Sequence, residues 1–282
     1  MPELPEVEVL VRHLNEVTRG KTIGVVTVHR PKIIRPTSLT KFTKTLQGSK
    51  IRAVARRGKY LLFDLKAAKR PVVQLVGHLG MTGRMYMQPR KRALPKHTAV
   101  SFACGRETFV FEDTRYFGRL TLDASAIKAL GPEPLMDAFD GSVLFDGLRN
   151  CRQAIKPKLL DQSLVAGVGN IYASEALWRA GISPRRMARR LTQTQCRQLA
   201  KTICEVLAEA IDFGSTVPLG FDGGGEQDGL FYYGAAEGST GFEERLRVYD
   251  REGDPCDNCG GAIRKIVQAG RSTYFCGDCQ RG

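Results

Sequence analysis

The chain has 282 residues, 42% of them hydrophobic, with a formal net charge of +14 and an isoelectric point near 9.6. That length leaves room for two domains with cores of their own, and the charge points to a polyanionic partner, nucleic acid first, although it does not separate DNA from RNA or anionic lipid. No apolar leader and no run near the roughly 18 residues of a membrane span is present, which argues against secretion or insertion and for a cytoplasmic protein whose eight cysteines are thiols or metal ligands.

The chain opens Met1-Pro2-Glu3-Leu4-Pro5-Glu6-Val7-Glu8. A small residue such as Pro2 permits removal of the initiator Met and leaves a secondary amine. An α-amino group titrates near ~8, against about 10.4 for a lysine, so a useful fraction is nucleophilic at neutral pH. Attack of that amine on a sugar C1′ gives an iminium directly, and Glu3 beside it can act as acid or base. The same residues also fit the first turn of a helix, with the prolines stiffening its start and Glu6 and Glu8 complementing its dipole. Leu4, Val7, Leu10, Val11 and Leu14 recur at helical spacing before Gly20.

Short β-branched or aromatic runs follow at residues 22–29, 50–56, 60–65, 72–76, 99–103, 108–111 and 118–122, separated by Gly, Pro and Lys-rich turns. They predict a two-layer β-sandwich. Gly131-Pro132-Glu133-Pro134-Leu135 has the composition of a linker, after which helices are predicted over 142–151, 157–161, 171–180 and 192–213. The expected domains are a sandwich over 1–130, a helical domain over 131–245 and a tail over 246–282. Basic residues gather at 29–35, at 50–59 and at Arg90-Lys91-Arg92 with Lys96, as solvated faces or as phosphate contacts.

Three further segments carry chemistry. Gly77-His78-Leu79-Gly80-Met81-Thr82-Gly83 lets backbone approach something closely and lifts an apolar Met81, which otherwise reads as a core filler. Gly167-Val168-Gly169-Asn170 joins two helical patterns, with Asn170 suited to cap the second and its free amides to hold a phosphate; capping without a ligand is the alternative. Glu175 fits either an interior role or a surface helix position. Cys256-Asp257-Asn258-Cys259 and Cys276-Gly277-Asp278-Cys279, 16 residues apart, have the spacing of one four-thiolate zinc site that would stabilise a β-hairpin over 262–268 and 272–275. Cys196 and Cys204 read as small core residues, and Cys104 and Cys151 belong to no motif.

Residues 2–8, Arg57-Gly58-Lys59-Tyr60-Leu61-Leu62, the segment 78–83, Arg115-Tyr116-Phe117-Gly118, the run 155–181 and the cysteine cluster together resemble the formamidopyrimidine-DNA glycosylases, in the family's order and over nearly the whole chain. These are bacterial enzymes that excise oxidised purines and nick the resulting abasic site. The resemblance implies an α+β fold: an N-terminal β-sandwich with flanking helices, a helix-two-turn-helix domain and a zinc-binding β-hairpin. It implies a bifunctional glycosylase and abasic-site lyase of base excision repair, expected as a monomer in the bacterial cytoplasm, associated with the nucleoid through duplex DNA and holding one structural zinc ion.

By the same resemblance Pro2, Glu3 and Lys59 serve the chemistry, with Lys59 near the phosphates at the reactive sugar. His78, Met81, Arg115, Phe117, Lys156, Asn170 and Arg271 face DNA. Met81, Arg115 and Phe117 would enter the duplex where the damaged nucleotide has left, offsetting lost stacking and pairing with the orphaned base. Lys156 would lie near the damaged base or its phosphate, and Arg271 on a phosphate near the flipped nucleotide. Two departures from the family stand out. Thr114 occupies the place where a proline commonly precedes the arginine. The stretch from Asp212 to Glu244 holds seven acidic residues, no Lys or Arg, and Gly223-Gly224-Gly225, where the family has a shorter loop over the extruded base. Oxidised pyrimidines, bulky or cross-linked lesions, or mere binding of damaged DNA are therefore alternatives, while Leu4 with Met81, Arg115 and Phe117 favours the purine branch.

Overall fold

The computed structural model describes residues 2–67, 71–136, 139–216 and 246–281. They fall into two compact units, one made of residues 2, 6–67 and 71–128 and the other of residues 3–5, 129–136, 139–216 and 246–281.

In the first unit, helix α1 (Leu4–Thr18) buries Val7, Leu10, Val11 and Leu14, the stripe that the sequence periodicity marks. Eight strands follow: β1 (Val26–Val28), β2 (Lys50–Arg57), β3 (Tyr60–Lys66), β4 (Val73–His78), β5 (Gly83–Pro89), β6 (Thr98–Cys104), β7 (Glu107–Asp113) and β8 (Arg119–Thr121). They form two four-stranded antiparallel sheets, ordered β1-β6-β7-β5 and β2-β3-β4-β8. Along β3 burial alternates strictly, so Leu61, Phe63 and Leu65 point inward. Phe63 meets Phe109 of β7 edge-on at 5.8 Å, and Phe109 stacks on Phe102 of β6 at 4.3 Å, so the two sheets close on a shared aromatic core.

Three differences from the predicted elements have local causes. Strand β1 keeps only the later part of the predicted run, because Thr22 and Ile23 pair with residues 48–50 instead, and Gly24 N and Val25 O both bond Ala103 of β6, which breaks the register before Val26. Strand β5 has Met85, Tyr86 and Met87 where a periodicity reading looks for β-branched residues. It is held by its register against β7 from Gly83–Asp113 to Pro89–Glu107. Helix α2 (Leu39–Leu46) is rich in Thr and Lys and buries only Phe42 and Leu46. Burial of each contributes roughly 1.5–3 kcal/mol, and Ser38 caps the helix through the Lys41 amide. The short helix α3 (Ser125–Lys128) ends the unit.

The second unit holds helices α4 (Gly141–Leu148), α5 (Ile155–Leu159), α6 (Asn170–Arg179) and α7 (Gln193–Thr216), then the hairpin of β9 (Ile263–Gln268) and β10 (Arg271–Cys276). Helix α4 lies against α7 at Gly141, where a Cβ would come within 2.4 Å of Arg197 Cα. Helix α5 starts two residues earlier than predicted, because Ile155 N and Lys156 N donate to Arg186 O and Pro184 O. The hairpin turns through Ala269 and Gly270, both at positive φ (48° and 71°), as a two-residue type I′ turn demands. Its core of Val248, Cys256, Ile263, Tyr274 and Cys276 packs with Trp178 of α6. The acidic stretch, apart from its first residues on α7, lies outside the described residues, as does Met1. Among the described residues no helix is long and apolar enough to cross a membrane.

Candidate active site and nucleic-acid interface

In the second unit Glu3 is buried against the start of α6. One carboxylate oxygen accepts from Ile171 N at 2.9 Å and the other from Tyr172 N at 3.4 Å. The positive end of that helix therefore fixes the carboxylate next to Pro2 in the chain. The sequence-level expectation for this place needs correcting on two points. The cap is Gly169 and Asn170 is the first helical residue, and two of the helix-start amides offered to a phosphate are taken by Glu3. Both glycines of the motif make room for the N-terminal segment: a Cβ on Gly169 would lie 2.2 Å from Glu3 Cδ, and one on Gly167, at φ +95°, would lie 2.5 Å from Leu4 Cδ1.

Asn170 keeps its side chain for a different task. Its Oδ1 accepts from Lys156 Nζ at 2.5 Å, and its Nδ2 donates to Ser272 O at 3.0 Å. Lys156 is fully buried and also donates to Ser272 O and to Thr273 Oγ1, each at 2.8 Å. This node joins α5, the start of α6 and the hairpin next to Arg271, which stands exposed just after the turn. Burial, aided by the charge of Arg271 and opposed by Glu3, brings the Lys156 amine down to about 8. Glu175 is interior: its carboxylate accepts from the amides of Arg247, Val248 and Tyr249 and so anchors the segment leading to the hairpin. Burial pushes that carboxyl up while the three amides pull it down.

In the first unit Pro2 is buried, and Lys59 is buried in the two-residue turn between β2 and β3, with Gly58 at φ +56°. His78 pairs across the strands with Tyr60, and its Nδ1 accepts from Gly80 N at 3.0 Å. Burial, with the Lys59 and Arg119 charges beside it, brings the imidazole down to about 4, so it is neutral at physiological pH. Phe117 is 53% exposed with the Arg115 guanidinium 4.9 Å above its ring, so a large apolar ring and a cation are displayed together. The segment carrying Met81 joins this one through a residue that sequence reading passed over. Asp113, fully buried, accepts from Thr82 Oγ1 (2.6 Å), Arg115 N (3.1 Å) and Gly118 N (2.8 Å). Gly80 at φ +66° allows the close approach, since a Cβ there would be 2.7 Å from Gly118 N. Thr114 thus needs no ring to stiffen the loop, because a carboxylate ties both of its ends.

The formamidopyrimidine-DNA glycosylase N-terminal domain matches residues 1–120, the H2TH domain of the same enzymes residues 130–218, and the zinc finger found in FPG and IleRS residues 253–282. The formamidopyrimidine-DNA glycosylase of Thermus thermophilus is 42% identical over 287 residues, covering 99% of this chain and 98% of that protein. The chain belongs to the formamidopyrimidine-DNA glycosylase family. Its enzymes include that of Geobacter metallireducens, also 42% identical, covering 99% of this chain and 100% of that protein. Among solved structures, the Lactococcus lactis Fpg in complex with abasic-site DNA matches with a TM-score of 0.86 at 32% identity, covering 99% of this chain and 100% of that one. The same protein with DNA containing N7-benzyl-Fapy-dG matches with 0.86 at 33% identity, covering 100% of both chains.

As a member of the glycosylase family the chain is a DNA glycosylase with abasic-site lyase activity, and its tail is a zinc finger. The sulfurs of Cys256, Cys259, Cys276 and Cys279 all lie within 4.8 Å of one another, with Cys259 to Cys276 at 3.4 Å and Cys256 to Cys279 at 3.9 Å. Four thiolates about 2.3 Å from one zinc stand about 3.8 Å apart, so the donor set fits a structural ion. Against the upward push of burial, the Asn258 and Cys259 amides and the Trp178 indole bring the Cys256 thiol down to about 6. The other four cysteines are elsewhere: Cys196 is in the α7 core, Cys204 donates to Pro134 O, and Cys104 and Cys151 join no cluster among the described residues.

Proposed function

We propose that this glycosylase acts through the nitrogen of Pro2. The amine attacks C1′ of the damaged nucleoside, and the bond from C1′ to the base breaks. The base leaves with the electron pair and takes up a proton, and the nitrogen gives up its own; the nitrogen lone pair then expels O4′, which is protonated as the C1′–O4′ bond breaks, and an iminium joins Pro2 to the opened sugar. Loss of a proton from C2′ then expels the 3′ phosphate and cuts the strand. Glu3 is the acid and base for these transfers, Lys59 and neutral His78 hold phosphates beside the sugar, and Met81, Arg115 and Phe117 fill the gap in the duplex. Asn170, oriented by Lys156, and Arg271 hold the backbone of the damaged strand. Formamidopyrimidines and 8-oxoguanine are the substrates, and the N7-benzyl-Fapy-dG in a relative's complex supports the inclusion of enlarged formamidopyrimidines. The enzyme works as a monomer in the bacterial cytoplasm, with three domains over 1–130, 131–245 and 246–282.

The observation that carries this reading is the seating of Glu3, buried and fixed by two helix amides immediately after the amine. Borohydride trapping tests it. Protein whose mass shows Pro2 at the terminus should form a covalent complex with lesion or abasic duplex, and Pro2→Gly should trap far less. Full trapping by protein that retains Met1 would exclude the amine.

A further inference from the structure

Six arginines of the second unit, Arg149, Arg152, Arg185, Arg186, Arg189 and Arg190, lie in two stretches, 149–160 and 181–204, that contain no Asp or Glu. Among the described residues, the one ion pair any of them makes is the loose contact of Arg149 with Asp146 at 4.0 Å, both well exposed. The two stretches are fastened to each other. Ala154 bridges Met187, Ala188 N donates to Gln153 O at 2.8 Å, and Arg189 N donates to Cys151 O at 3.0 Å. Ile155, Pro184 and Ala188 are buried beneath, so Arg152, Arg185, Arg189 and Arg190 stand exposed on a backbone that is already ordered. Arg186 is half-buried and braces the strip by donating to Arg190 O.

Cations collected on a rigid surface without counter-charges repel one another unless an anion lies over them. The position of the strip says which anion. It begins beside Lys156, whose amide is bonded to Pro184 and whose ammonium orients Asn170 and the residue after Arg271. From Pro184 to Arg190 the chain turns through Arg186 N to Ser183 O and then winds as a 3-10 helix over Ala188–Arg190, so it spans well under its extended length of about 20 Å, which is a few nucleotides along one strand. Guanidinium forks match phosphate oxygens two at a time, which a solvated lysine face does not need.

We propose that Arg152, Arg185, Arg189 and Arg190 form a further phosphate-binding strip, which leads from the Lys156 and Asn170 node along the duplex backbone flanking the lesion. It supplies affinity independent of sequence. This rests on the reading that Asn170 and Arg271 hold the damaged strand.

The test is the salt dependence of equilibrium binding of the full chain to lesion duplex. Each lost phosphate contact lowers the slope of log K against log salt by about 0.9, so Arg185→Gln with Arg189→Gln should flatten it by nearly two. Between about 50 and 200 mM salt the wild type should then lose roughly twelvefold more affinity than this variant. Lys41→Gln with Lys44→Gln, which removes the same charge from α2, should leave the slope unchanged, and Arg185→Lys with Arg189→Lys should restore most of it. Trimming the duplex on one side of the lesion should abolish the difference between wild type and variant, and trimming the other side should not. An unchanged slope in the glutamine variant, or an equal drop in the α2 control, overturns the strip. Absence of lesion-duplex binding by the wild type would instead defeat the underlying reading.

Discussion

Replacing Asp113 by Asn keeps the shape of the side chain and exchanges one acceptor for a donor. The carboxylate accepts from Thr82 Oγ1 and Arg115 N through one oxygen and from Gly118 N through the other. The least damaging orientation of the amide turns its NH2 toward Gly118 N, so that one bond is replaced by two facing donors at a fully buried site. A hydrogen bond to a charged acceptor is worth roughly 1.5–3 kcal/mol, and about 2 kcal/mol is therefore the expected loss. The loss falls on the loop that presents Arg115 and Phe117. If the loop must be rebuilt in each productive complex, excision from a lesion duplex drops about thirtyfold, since about 1.4 kcal/mol is a factor of ten. Thr82→Val should act in the same direction, because its hydroxyl donates to Asp113 and accepts from Arg115 N at 3.2 Å. The two changes should be less than additive by roughly 0.5–3 kcal/mol in a double-mutant cycle. The assay is single-turnover excision alongside thermal unfolding, with a pre-formed abasic site as the comparison substrate, where less depends on holding an extruded base. If both variants melt earlier yet excise at the wild-type rate, Asp113 supports the sandwich only, and the proposed positioning of the wedge is refuted.

Gly169→Ala places a methyl group 2.2 Å from Glu3 Cδ and should unseat the carboxylate. General acid and base catalysis contributes about 10²–10⁴, so single-turnover excision should fall at least a hundredfold; an unaltered rate would remove Glu3 from the chemistry. His78 has a folded pKa of about 4 against 6.5 for the free side chain, so the unfolded chain takes up the proton first. The stability from this residue is complete above pH 6.5 and is lost as pH falls toward 4, by roughly 3 kcal/mol. His78→Asn can still accept from Gly80 N and should flatten that part of the urea-midpoint profile; an identical acid dependence in the variant would contradict the assignment. Removal of zinc, or Cys256→Ser, should lower DNA affinity by misplacing Arg271 while the Pro2 amine still reacts with a small aldehyde. Metal analysis giving no zinc in active protein would count against a structural ion.

Much of the site was legible in the sequence because its parts are local. A proline at position 2 offers a secondary amine once Met1 is removed, however the chain folds, two Cys-x-x-Cys pairs carry their ligand geometry in their spacing, and a turn such as Ala269-Gly270 is set by the residues that close it. The alternation in β3 and the stripe of α1 are likewise periodicities of a single segment, and the structure reproduces them. Contacts between distant segments decided the rest. No local signal says that Glu3 occupies the amides of Ile171 and Tyr172, and Asn170 loses its capping role because Lys156 and Ser272 take its side chain. Asp113 stiffens the loop that lacks a proline only because Thr82, on another strand connection, lies 2.6 Å away. Strand β5 and helix α2 have weak propensities of their own, and exist because register with β7 and burial of Phe42 and Leu46 outweigh them. A single segment fixes its own turn, period or ligand spacing, but a hydrogen bond or buried contact forms only when folding brings its second partner within reach, and that partner is chosen by the tertiary structure.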